Sequence, residues 1–588
     1  MYGYHGRYWR FDLSRGEGTL VSIDKDVLRR TIGGSGLGAW LLHREAPPEV
    51  DPLSPDAPLI YSFSPLVGSP LTTSAKFAVV AKSPLTGMIS DALSSSHFAI
   101  AGKAMGVDAI VLVGACDEPS ELVGGELRQA STWGLSAEAT CTALRSEGRV
   151  SAIGVAGQNL VRYAILSNDG RHAGRGGLGA VMGSKRLKAL VVSGEVKTQL
   201  ANREHVLRIA KSLSARSLGP ATAKYRELGT AGNLMAFNRL AALPTRNFQT
   251  SRMDEAEALS AEEMQPLREQ ARASCASCTI GCEHLYKLAD GSQTRVEYEN
   301  LFALGPLCGI SDPDVVLAAS QRCDELGLDT ISTGGTIAFA MECAENGFLD
   351  GAPCFGDGEG MLTLIDDIAH RHGLGALLAE GSRRAPHEIG HGTLAFAAQV
   401  KGLEMPGYEP RALQTMGLGL AVSTRGADHN RSGAYELDFS DEVDRLRGDA
   451  RAARLAVEPE NRAALIDSLI LCKFLRGALG DFYGEAAEML EAVTGMDRGA
   501  AELEEAAARL VSLKKAFNIR EGWTPADDTL PDRFLEEALS DGPMAGTRLT
   551  RERLAEMIRS YNRARGWTDD GFLPKDALDE LGIETPTP

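Results

Sequence analysis

The chain has 588 residues, 44% of them hydrophobic and 24% charged, which is the composition of a globular protein with several domains. Its net charge of −18 argues against nucleic acid as a partner, because phosphate binding requires a basic surface. No apolar run approaches the ~18 residues of a membrane span, and the N-terminus is too polar for a signal peptide. We therefore expect a cytoplasmic protein that does not bind a membrane.

The pattern of apolar and turn-forming residues changes along the chain. Residues 1–200 read as β-rich, because short apolar runs beginning at Leu59, Phe77, Ala109 and Ala189 are separated by proline and glycine turn signals. From about residue 201 the pattern becomes helical, with many Ala, Leu and Glu residues. A stretch containing proline and glycine, residues 401–410, marks a further boundary. These changes divide the chain into residues 1–200, 201–400 and 401–588.

Two consecutive helices are predicted in the middle segment. Asp312 and Pro313 form the cap and first turn of a helix that runs to Leu326, and Gly327 ends it. Ser332 or Thr333 is expected to cap the next helix, which would end at Gly347.

Four cysteines have the spacing of a metal cofactor site. Cys275, Cys278 and Cys282 follow the pattern C-x2-C-x3-C, and Cys472 lies about two hundred residues further on. A cubane iron–sulfur cluster requires four soft thiolates, and one of them can come from another domain. A structural zinc site is the alternative, although zinc sites usually pair two short C-x2-C arms. Cysteines without a ligand are the remaining possibility.

A short pattern occurs twice. Residues 324–329 and 467–472 each begin with an aspartate that is followed four residues later by leucine, and the second copy ends on Cys472. A carboxylate in the last turn of a helix opposes the helix dipole, so Asp324 requires a compensating donor. A flat heterocycle with an amino group and a ring N–H offers two such donors. The alternative is an ordinary solvated helix end at both places.

Two stretches are rich in glycine. Residues 33–38 are weak evidence for a nicotinamide site, because no clear strand precedes them. Residues 173–185 place several backbone N–H groups beside Arg175, which suits a phosphate or pyrophosphate, with a tight structural turn as the alternative. His429 lies among charged residues and turn formers, which favours a histidine in a polar site.

These motifs together resemble the tungsten-containing aldehyde:ferredoxin oxidoreductase family over nearly the whole chain. The likeness rests on residues 32–38, 82–87, 173–177, the cysteine cluster, 297–299, 324–333, 401–406, 425–429 and 472–474. The resemblance implies an α+β fold of three domains. A β-rich N-terminal domain would form the base under a tungsten (or molybdenum) bis-molybdopterin cofactor, and two mainly helical domains would cover it.

The resemblance also implies roles for individual residues. The four cysteines would hold a [4Fe–4S] cluster, and Asp324 and Asp467 would each bind one pterin. The metal itself would have no protein ligand, and Mg²⁺ could bridge the pterin phosphates through backbone carbonyls such as that of Leu93. The cofactor-binding set is completed by Lys76, Arg175, Gly176, Gly177, Gly327, Leu328, Asp329 and Arg431.

For the reaction, the resemblance implies oxidation of a small aldehyde to a carboxylic acid, with electrons leaving through the cluster to ferredoxin or another redox subunit. Glu299 is the candidate general base, and His429 would donate a hydrogen bond to the carbonyl oxygen. Glu297 is the second candidate for the base, and either glutamate could instead be a buried structural anion. The alternative function keeps the cofactors but acts on another carbonyl compound or an activated aromatic ring, as a subunit of a larger redox complex.

The chain departs from the family pattern at several positions. Lys76 replaces an arginine that is common there, so a forked contact to phosphate is lost. Leu93 stands where asparagine is usual, and Ile470 stands where glycine is usual. Ala318 and Gln321 occupy the places of a Glu-x-x-His iron site at a dimer interface, so we expect that any homodimer lacks this iron.

Overall fold

The computed structural model describes residues 1–540 and 542–582. The N-terminal segment contains two six-stranded sheets. The first sheet, in the order β2-β1-β6-β3-β4-β5, consists of β1 (Arg7–Asp12), β2 (Glu17–Ser22), β3 (Leu59–Ser62), β4 (Lys76–Lys82), β5 (Ile89–Ser95) and β6 (Ala109–Val113). The second, in the order β11-β10-β9-β12-β7-β8, consists of β7 (Ser120–Val123), β8 (Glu126–Gln129), β9 (Arg149–Ala152), β10 (Leu166–Asn168), β11 (Arg171–Ala173) and β12 (Leu187–Val192).

Both sheets are mixed. β1 pairs with β6 in parallel, β7 pairs with β12 in parallel, and the other neighbours are antiparallel. β3, β4 and β6 are buried along almost their whole length because the protein covers both faces of the sheet. The helices of this segment are α1 (Lys25–Thr31), α2 (Gly34–Glu45), α3 (His97–Lys103), α4 (Ala137–Leu144), α5 (Val155–Gln158) and α6 (Leu178–Ser184).

The rest of the chain is mainly helical, as predicted. Residues 201–400 contain α7 (Arg203–Arg216), α8 (Pro220–Leu228), α9 (Leu234–Arg239), α10 (Ala261–Arg268), α11 (Tyr298–Leu304), α12 (Pro313–Leu326), α13 (Thr330–Glu345), α14 (Gly358–His370), α15 (Leu374–Leu378) and α16 (Ala385–Ile389). Small sheets are formed by β13 (Glu269–Ala273), β14 (Glu283–Lys287) and β15 (Gln293–Arg295), and by β16 (Gln399–Val400) and β17 (Leu403–Glu404).

The C-terminal part contains α17 (Gln414–Val422), α18 (His429–Ser432), α19 (Tyr435–Asp438), α20 (Ala450–Leu455), α21 (Val457–Leu469), α22 (Phe482–Thr494), α23 (Ala500–Arg520), α24 (Asp532–Glu536), α25 (Arg551–Ala564) and α26 (Lys575–Leu581). One buried hydrophobic cluster extends from the first sheet into these helices. The segment 401–410 is buried throughout. The domain boundaries near 200 and 400 stay predictions.

The helix that begins at Pro313 has the predicted ends, but the cap of the next helix was predicted wrongly. Gly327 has a φ of +81° and ends α12, as expected. α13 is capped by Asp329, whose carboxylate accepts a hydrogen bond from the N–H of Ser332. Asp329 competes better for this position because its charge also complements the positive end of the helix.

The first glycine-rich stretch serves helix packing. At Gly34 an added Cβ would lie 2.5 Å from the carbonyl oxygen of Asp467, and at Gly36 it would lie 3.0 Å from Oγ of Ser468. The N–H of Gly36 donates to the same hydroxyl at 3.1 Å. These glycines therefore allow α2 to approach α21, and they offer no support for a nicotinamide site.

No single helix among the described residues is long and apolar enough to cross a membrane. One pair, Tyr298–Cys308 with Pro313–Leu326, meets the length and composition limits together but is bent by 119°.

Candidate active site

A cavity of about 760 Å³ lies where the N-terminal sheets meet the helical segments. Its wall includes residues from all three predicted parts of the chain. The predicted site residues that line it are Lys76, Leu93, Arg175, Cys275, Cys278, Cys282, Glu299, Asp324, Leu328, Asp329, His429, Arg431, Asp467 and Cys472. Gly176, Gly177 and Gly327 do not line it.

Thr73 connects the clustered cysteines to the distant one. Its N–H donates to the carbonyl oxygen of Ser277 at 2.6 Å, and its hydroxyl accepts from the N–H of Cys472 at 3.1 Å. The cysteine loop between β13 and β14 is thereby held beside the end of α21. The chain turns towards Cys472 at Ile470, whose φ of +63° would suit the glycine that the family resemblance leads us to expect there.

All four thiols line the cavity. In the described part of the chain, no three His, Cys, Asp or Glu side chains converge to hold a single metal ion. Burial raises the pKa of Cys282, and the neighbouring thiolates of Cys472 and Cys275 raise it further. Burial alone would lower the pKa of Lys76, but the thiolates of Cys472 and Cys275 raise it overall. This environment suits a cluster with several irons, with Lys76 beside its thiolates.

Asp324 has the compensating donor that a carboxylate at a helix end requires. Nε2 of His172 lies 3.3 Å from its Oδ1, and Nδ1 of the same ring is 2.8 Å from Oγ of Ser167. Burial would raise the pKa of Asp324, but His172 holds it below its usual value. His172 stands just before the second glycine-rich stretch, and no sequence pattern pairs it with Asp324.

Arg431 forms ion pairs with two carboxylates. Its Nε donates to Oδ1 of Asp91 at 3.0 Å, and its Nη1 lies 2.9 Å from Oδ2 of Asp467. Asp91 also accepts from Lys514 at 2.7 Å and from the hydroxyl of Ser35. The structure thus places Arg431 where it orients Asp467, while its expected contact with a phosphate stays a prediction.

Arg175 is also held by the protein. Its Nη1 donates to the carbonyl oxygen of Ala427 at 2.6 Å, and its Nε lies 3.4 Å from Oδ2 of Asp329. Gly176 and Gly177 have φ values of +95° and +76°, and a Cβ on Gly177 would lie 1.9 Å from the carbonyl oxygen of Arg162. Backbone conformation and close packing therefore explain both glycines without a ligand.

Leu93 and the first aspartate motif reach the cavity from opposite parts of the chain. Leu93 is half-buried on β5, where it pairs with Ala78 of β4. Leu328 is buried, and its N–H donates to the carbonyl oxygen of Cys323 at 2.8 Å. Gly327 packs against the backbone of Gly154. Leu328 and Leu93 thus contribute surface to the cavity, whereas Gly327 shapes the turn behind it.

Glu299 is a buried acid in the second position of α11. Its Oε2 accepts a hydrogen bond from the N–H of Gly407 at 3.0 Å. Its Oε1 is buried and finds no hydrogen-bond partner within the described residues. Burial, the largest effect, raises the pKa of Glu299 from 4.5 to about 8. A carboxyl group with such a pKa can take up or release a proton near neutral pH.

His429 faces Glu299 across the cavity. Its Nε2 lies 3.7 Å from Oε1 of Glu299, and its ring stacks on Tyr408 with 4.9 Å between the ring centres. Asp428 caps α18 by accepting from the N–H of Asn430 at 2.8 Å, which fixes the backbone at His429. Burial lowers the pKa of His429 to about 3, so the imidazole is neutral at pH 7. A neutral imidazole can still donate one hydrogen bond.

Glu297 has a structural task. It is the N-cap of α11 and forms a capping box with Asn300, whose side chain accepts from the N–H of Glu297 at 3.3 Å. Glu297 is exposed, whereas Glu299 is largely buried. The structure therefore favours Glu299 over Glu297 as the acid that exchanges a proton.

The site fits the predicted cofactors by three observations. Four thiols line one cavity, and the carboxylates of Asp324 and Asp467, each in its own ion pair, lie on its wall. Oε1 of Glu299 and Nδ1 of His429 are buried without partners in the described structure. Buried polar atoms without partners are rare in folded proteins and indicate that something else completes them.

Two family models match the chain. The N-terminal domain of aldehyde ferredoxin oxidoreductase matches residues 8–194, and domains 2 and 3 of the same protein match residues 208–583. The chain belongs to the aldehyde ferredoxin oxidoreductase family. Members of this family are oxidoreductases that carry a tungsten bis-pterin cofactor and a [4Fe–4S] cluster, so the predictions of family and cofactors are confirmed.

Curated relatives of the aldehyde ferredoxin oxidoreductase family match over almost their entire length. The tungsten-containing aldehyde ferredoxin oxidoreductases of Pyrococcus furiosus and Thermococcus kodakarensis are 38% and 37% identical to this chain, with 99% of each chain covered. The WOR-like subunit of an aliphatic sulfonate oxidoreductase from Pyrococcus furiosus is 28% identical, over 99% of this chain and 97% of the relative.

A solved structure shows the same fold. The active-site complex of benzoyl-coenzyme A reductase superposes with a TM-score of 0.83 at 24% identity, and the match covers 99% of this chain and 97% of the other. The predicted α+β architecture is therefore confirmed.

Several residues at the site or behind it were not predicted from the sequence. His172 and Tyr408 line the cavity and contact Asp324 and His429. Asp91 and Lys514 lie outside its wall, where Lys514 binds Asp91 and Asp91 binds Arg431. Only Tyr408 carried a signal, because it follows the family-like stretch 401–406.

Proposed function

We propose that this protein oxidises an aldehyde to a carboxylic acid and passes the electrons through its [4Fe–4S] cluster to ferredoxin or a similar carrier. The observation that carries the proposal is the pair formed by Glu299 and His429, whose facing atoms lie 3.7 Å apart in the cavity. The relatives that are 37–38% identical are named as aldehyde ferredoxin oxidoreductases, which supports the aldehyde as substrate.

The overall reaction converts an aldehyde and water into a carboxylic acid, two protons and two electrons. Oε1 of Glu299 accepts a proton from the attacking water, since this oxygen has no partner among the described residues and the pKa of the group lies near 8. His429 donates a hydrogen bond to the aldehyde oxygen as negative charge develops there. When bound, the tungsten cofactor would supply the two-electron acceptor, and the cluster would supply one-electron transfer to the carrier.

The lining of the cavity supports an assignment of the cofactor contacts. Cys275, Cys278, Cys282 and Cys472 would hold the cluster, and Asp324 and Asp467 would each bind one pterin. Lys76 would compensate the charge of the thiolates, and Arg431 orients Asp467. A magnesium ion held near the carbonyl of Leu93 would belong to the same proposal.

The partners are a small aldehyde and a one-electron redox protein. Ala318 and Gln321 lie on α12, where Gln321 accepts a hydrogen bond from Ser292 at 3.2 Å. A homodimer without an interface iron and a cytoplasmic location both stay predictions.

The proposal is tested on protein purified without oxygen and assayed with a viologen dye as electron acceptor. Aldehydes and aliphatic sulfonates are assayed with the oxidised dye as acceptor, and aryl-coenzyme A thioesters with the reduced dye as donor, because the relatives and the structural neighbour differ in these substrates. We expect reduction of the dye with aldehydes alone. Turnover with a sulfonate or a thioester but with no aldehyde would contradict the proposal and favour the alternative function.

A further inference from the structure

One wall of the cavity is lined with aromatic rings that lead from the surface to His429. We define the aromatic passage as Phe237, Tyr298, Tyr408, Tyr435 and Phe439, all of which line the cavity. On the basis of the proposed function, we propose that this passage selects aromatic aldehydes as the substrate class. The passage comes from α9, α11, α19 and the buried segment before α17, and no motif in the sequence groups these residues.

The outer end of the passage is open to solvent. Phe439 is 45% exposed and Leu240 is 37% exposed, although both are large apolar residues that line the same cavity. Phe237 lies directly below, with its ring 5.4 Å from that of Phe439 in an edge-to-face arrangement. Exposed apolar side chains at the mouth of a cavity are typical of a binding entrance.

The inner end reaches the reacting groups. The ring of Phe237 is 5.0 Å from Tyr408 and 4.9 Å from Tyr298. Tyr408 in turn stacks on His429 at 4.9 Å, and Tyr298 immediately precedes Glu299 in α11. A molecule that enters past Phe439 therefore meets ring faces and edges until it reaches the pair that we assign to the chemistry.

Ring contacts favour an aromatic guest over a saturated one of similar size. Aromatic rings attract one another in stacked and edge-to-face geometries beyond the effect of apolar burial, and the passage offers both geometries. An aldehyde on a flat ring also presents its carbonyl group at one end, which suits a passage that ends at Glu299 and His429.

A purely structural role for the rings is the competing explanation. A core cluster excludes solvent, as the tilted rings of Phe77 on β4 and Phe98 on α3 do, which are 4.8 Å apart and fully buried away from the cavity. Phe237, Tyr298 and Tyr408 are also buried, but they line the cavity and connect to Phe439, which is 45% exposed. Contact with the cavity and an exposed end distinguish the passage from a core cluster.

The test compares carboxylate products as competitive inhibitors, because benzoate and cyclohexanecarboxylate have the same charge and a similar size. We expect benzoate to bind about two- to tenfold more tightly, and kcat/KM to favour benzaldehyde over cyclohexanecarbaldehyde in the same direction. In Phe237→Leu and Phe439→Leu the aromatic preference should fall to about onefold while apolar volume is kept. The matched control is Phe482→Leu, which removes a ring that packs on Tyr483 away from the cavity and should keep the preference.

The outcomes separate this inference from the proposed function. Equal inhibition by both carboxylates, or an unchanged preference in Phe237→Leu, would overturn the aromatic substrate class while aldehyde oxidation stands. An enzyme that oxidises no aldehyde would overturn the proposed function and this inference with it.

Discussion

Nη1 of Arg431 lies 2.9 Å from Oδ2 of Asp467, the first residue of the second aspartate motif. Because Nε of Arg431 also donates to Asp91 of β5, Arg431 joins this motif to the N-terminal sheet. Lys514 of α23 binds the other carboxylate oxygen of Asp91 at 2.7 Å. The carboxylate that we assign to a pterin is therefore oriented by an ion network that spans the N-terminal and C-terminal parts of the chain.

Neutralising Asp91 should destabilise the protein. Burial would raise the pKa of Asp91, but Arg431 and Lys514 hold it well below its usual range, so the group is charged at pH 7. Asp91→Asn leaves two buried cations short of a counter-charge, a change that costs on the order of 3–5 kcal/mol. We expect a clearly lower Tm in calorimetry and reduced tungsten retention. The control Asp569→Asn breaks an exposed ion pair with Arg563 and should leave the Tm nearly unchanged. Equal Tm values for both variants would contradict the role of the network.

Removing the distant cysteine should damage the cluster. Wild-type protein is expected to contain about four irons per chain. Cys472→Ser should lower the iron content and alter the electron paramagnetic resonance spectrum of the reduced cluster, because one thiolate corner is lost. Cys354→Ser, which changes an exposed thiol outside the cavity, is the matched control. A normal yield and line shape in Cys472→Ser would show that the assignment of this ligand is wrong.

Glu299→Gln should slow aldehyde oxidation by roughly 10² or more, since it keeps the shape but removes the base. Because the pKa of Glu299 is about 8, the wild-type rate should rise with pH through that value, and the variant should lose this dependence.

Metal content and stability are the controls for Glu299→Gln. Iron and tungsten should stay unchanged. The pKa of Glu299 is higher in the folded state than in the unfolded state, so the folded protein favours the protonated acid. Its contribution to the free energy of unfolding is complete below the unfolded pKa of about 4.5 and is lost as the pH rises through about 8. The variant should therefore gain Tm relative to wild type at pH 9. Full activity with intact metals would reject the catalytic role.

His429→Ala should raise the barrier by about 3 kcal/mol, the usual effect of losing a donor to a developing oxyanion. The effect should appear mainly in kcat, because the hydrogen bond strengthens as the oxygen becomes charged. Burial keeps the pKa of His429 near 3, so this loss should be constant between pH 6 and 9. A loss that grows or disappears across this range would indicate a titrating role instead.

How much of the structure and the site can be predicted from the sequence depends on the kind of interaction that forms each part. Cys275, Cys278, Cys282 and Cys472 could be predicted as ligands because thiolate ligands are few and their spacing is informative, and the fold brings all four to one cavity. The runs at Leu59 and Ala109 became β3 and β6 because buried strands are continuously apolar.

Contacts between distant side chains could not be predicted. Asp91 and Lys514 are separated by 423 positions yet form one ion pair, and nothing local in either segment indicates it. Asp329 was overlooked as the cap of α13 because Ser332 and Thr333 also suit a cap, and only the fold shows which residue precedes the first turn. The aromatic passage is likewise assembled by tertiary packing.

The stoichiometry of aldehyde oxidation tests the central claim most directly. Protein purified without oxygen and containing tungsten and iron is incubated with benzaldehyde and a one-electron viologen acceptor, and benzoate and reduced dye are both quantified. The account predicts one carboxylate for every two molecules of dye reduced. Dye reduction without carboxylate, or no reduction by any aldehyde in fully metallated protein, would contradict it.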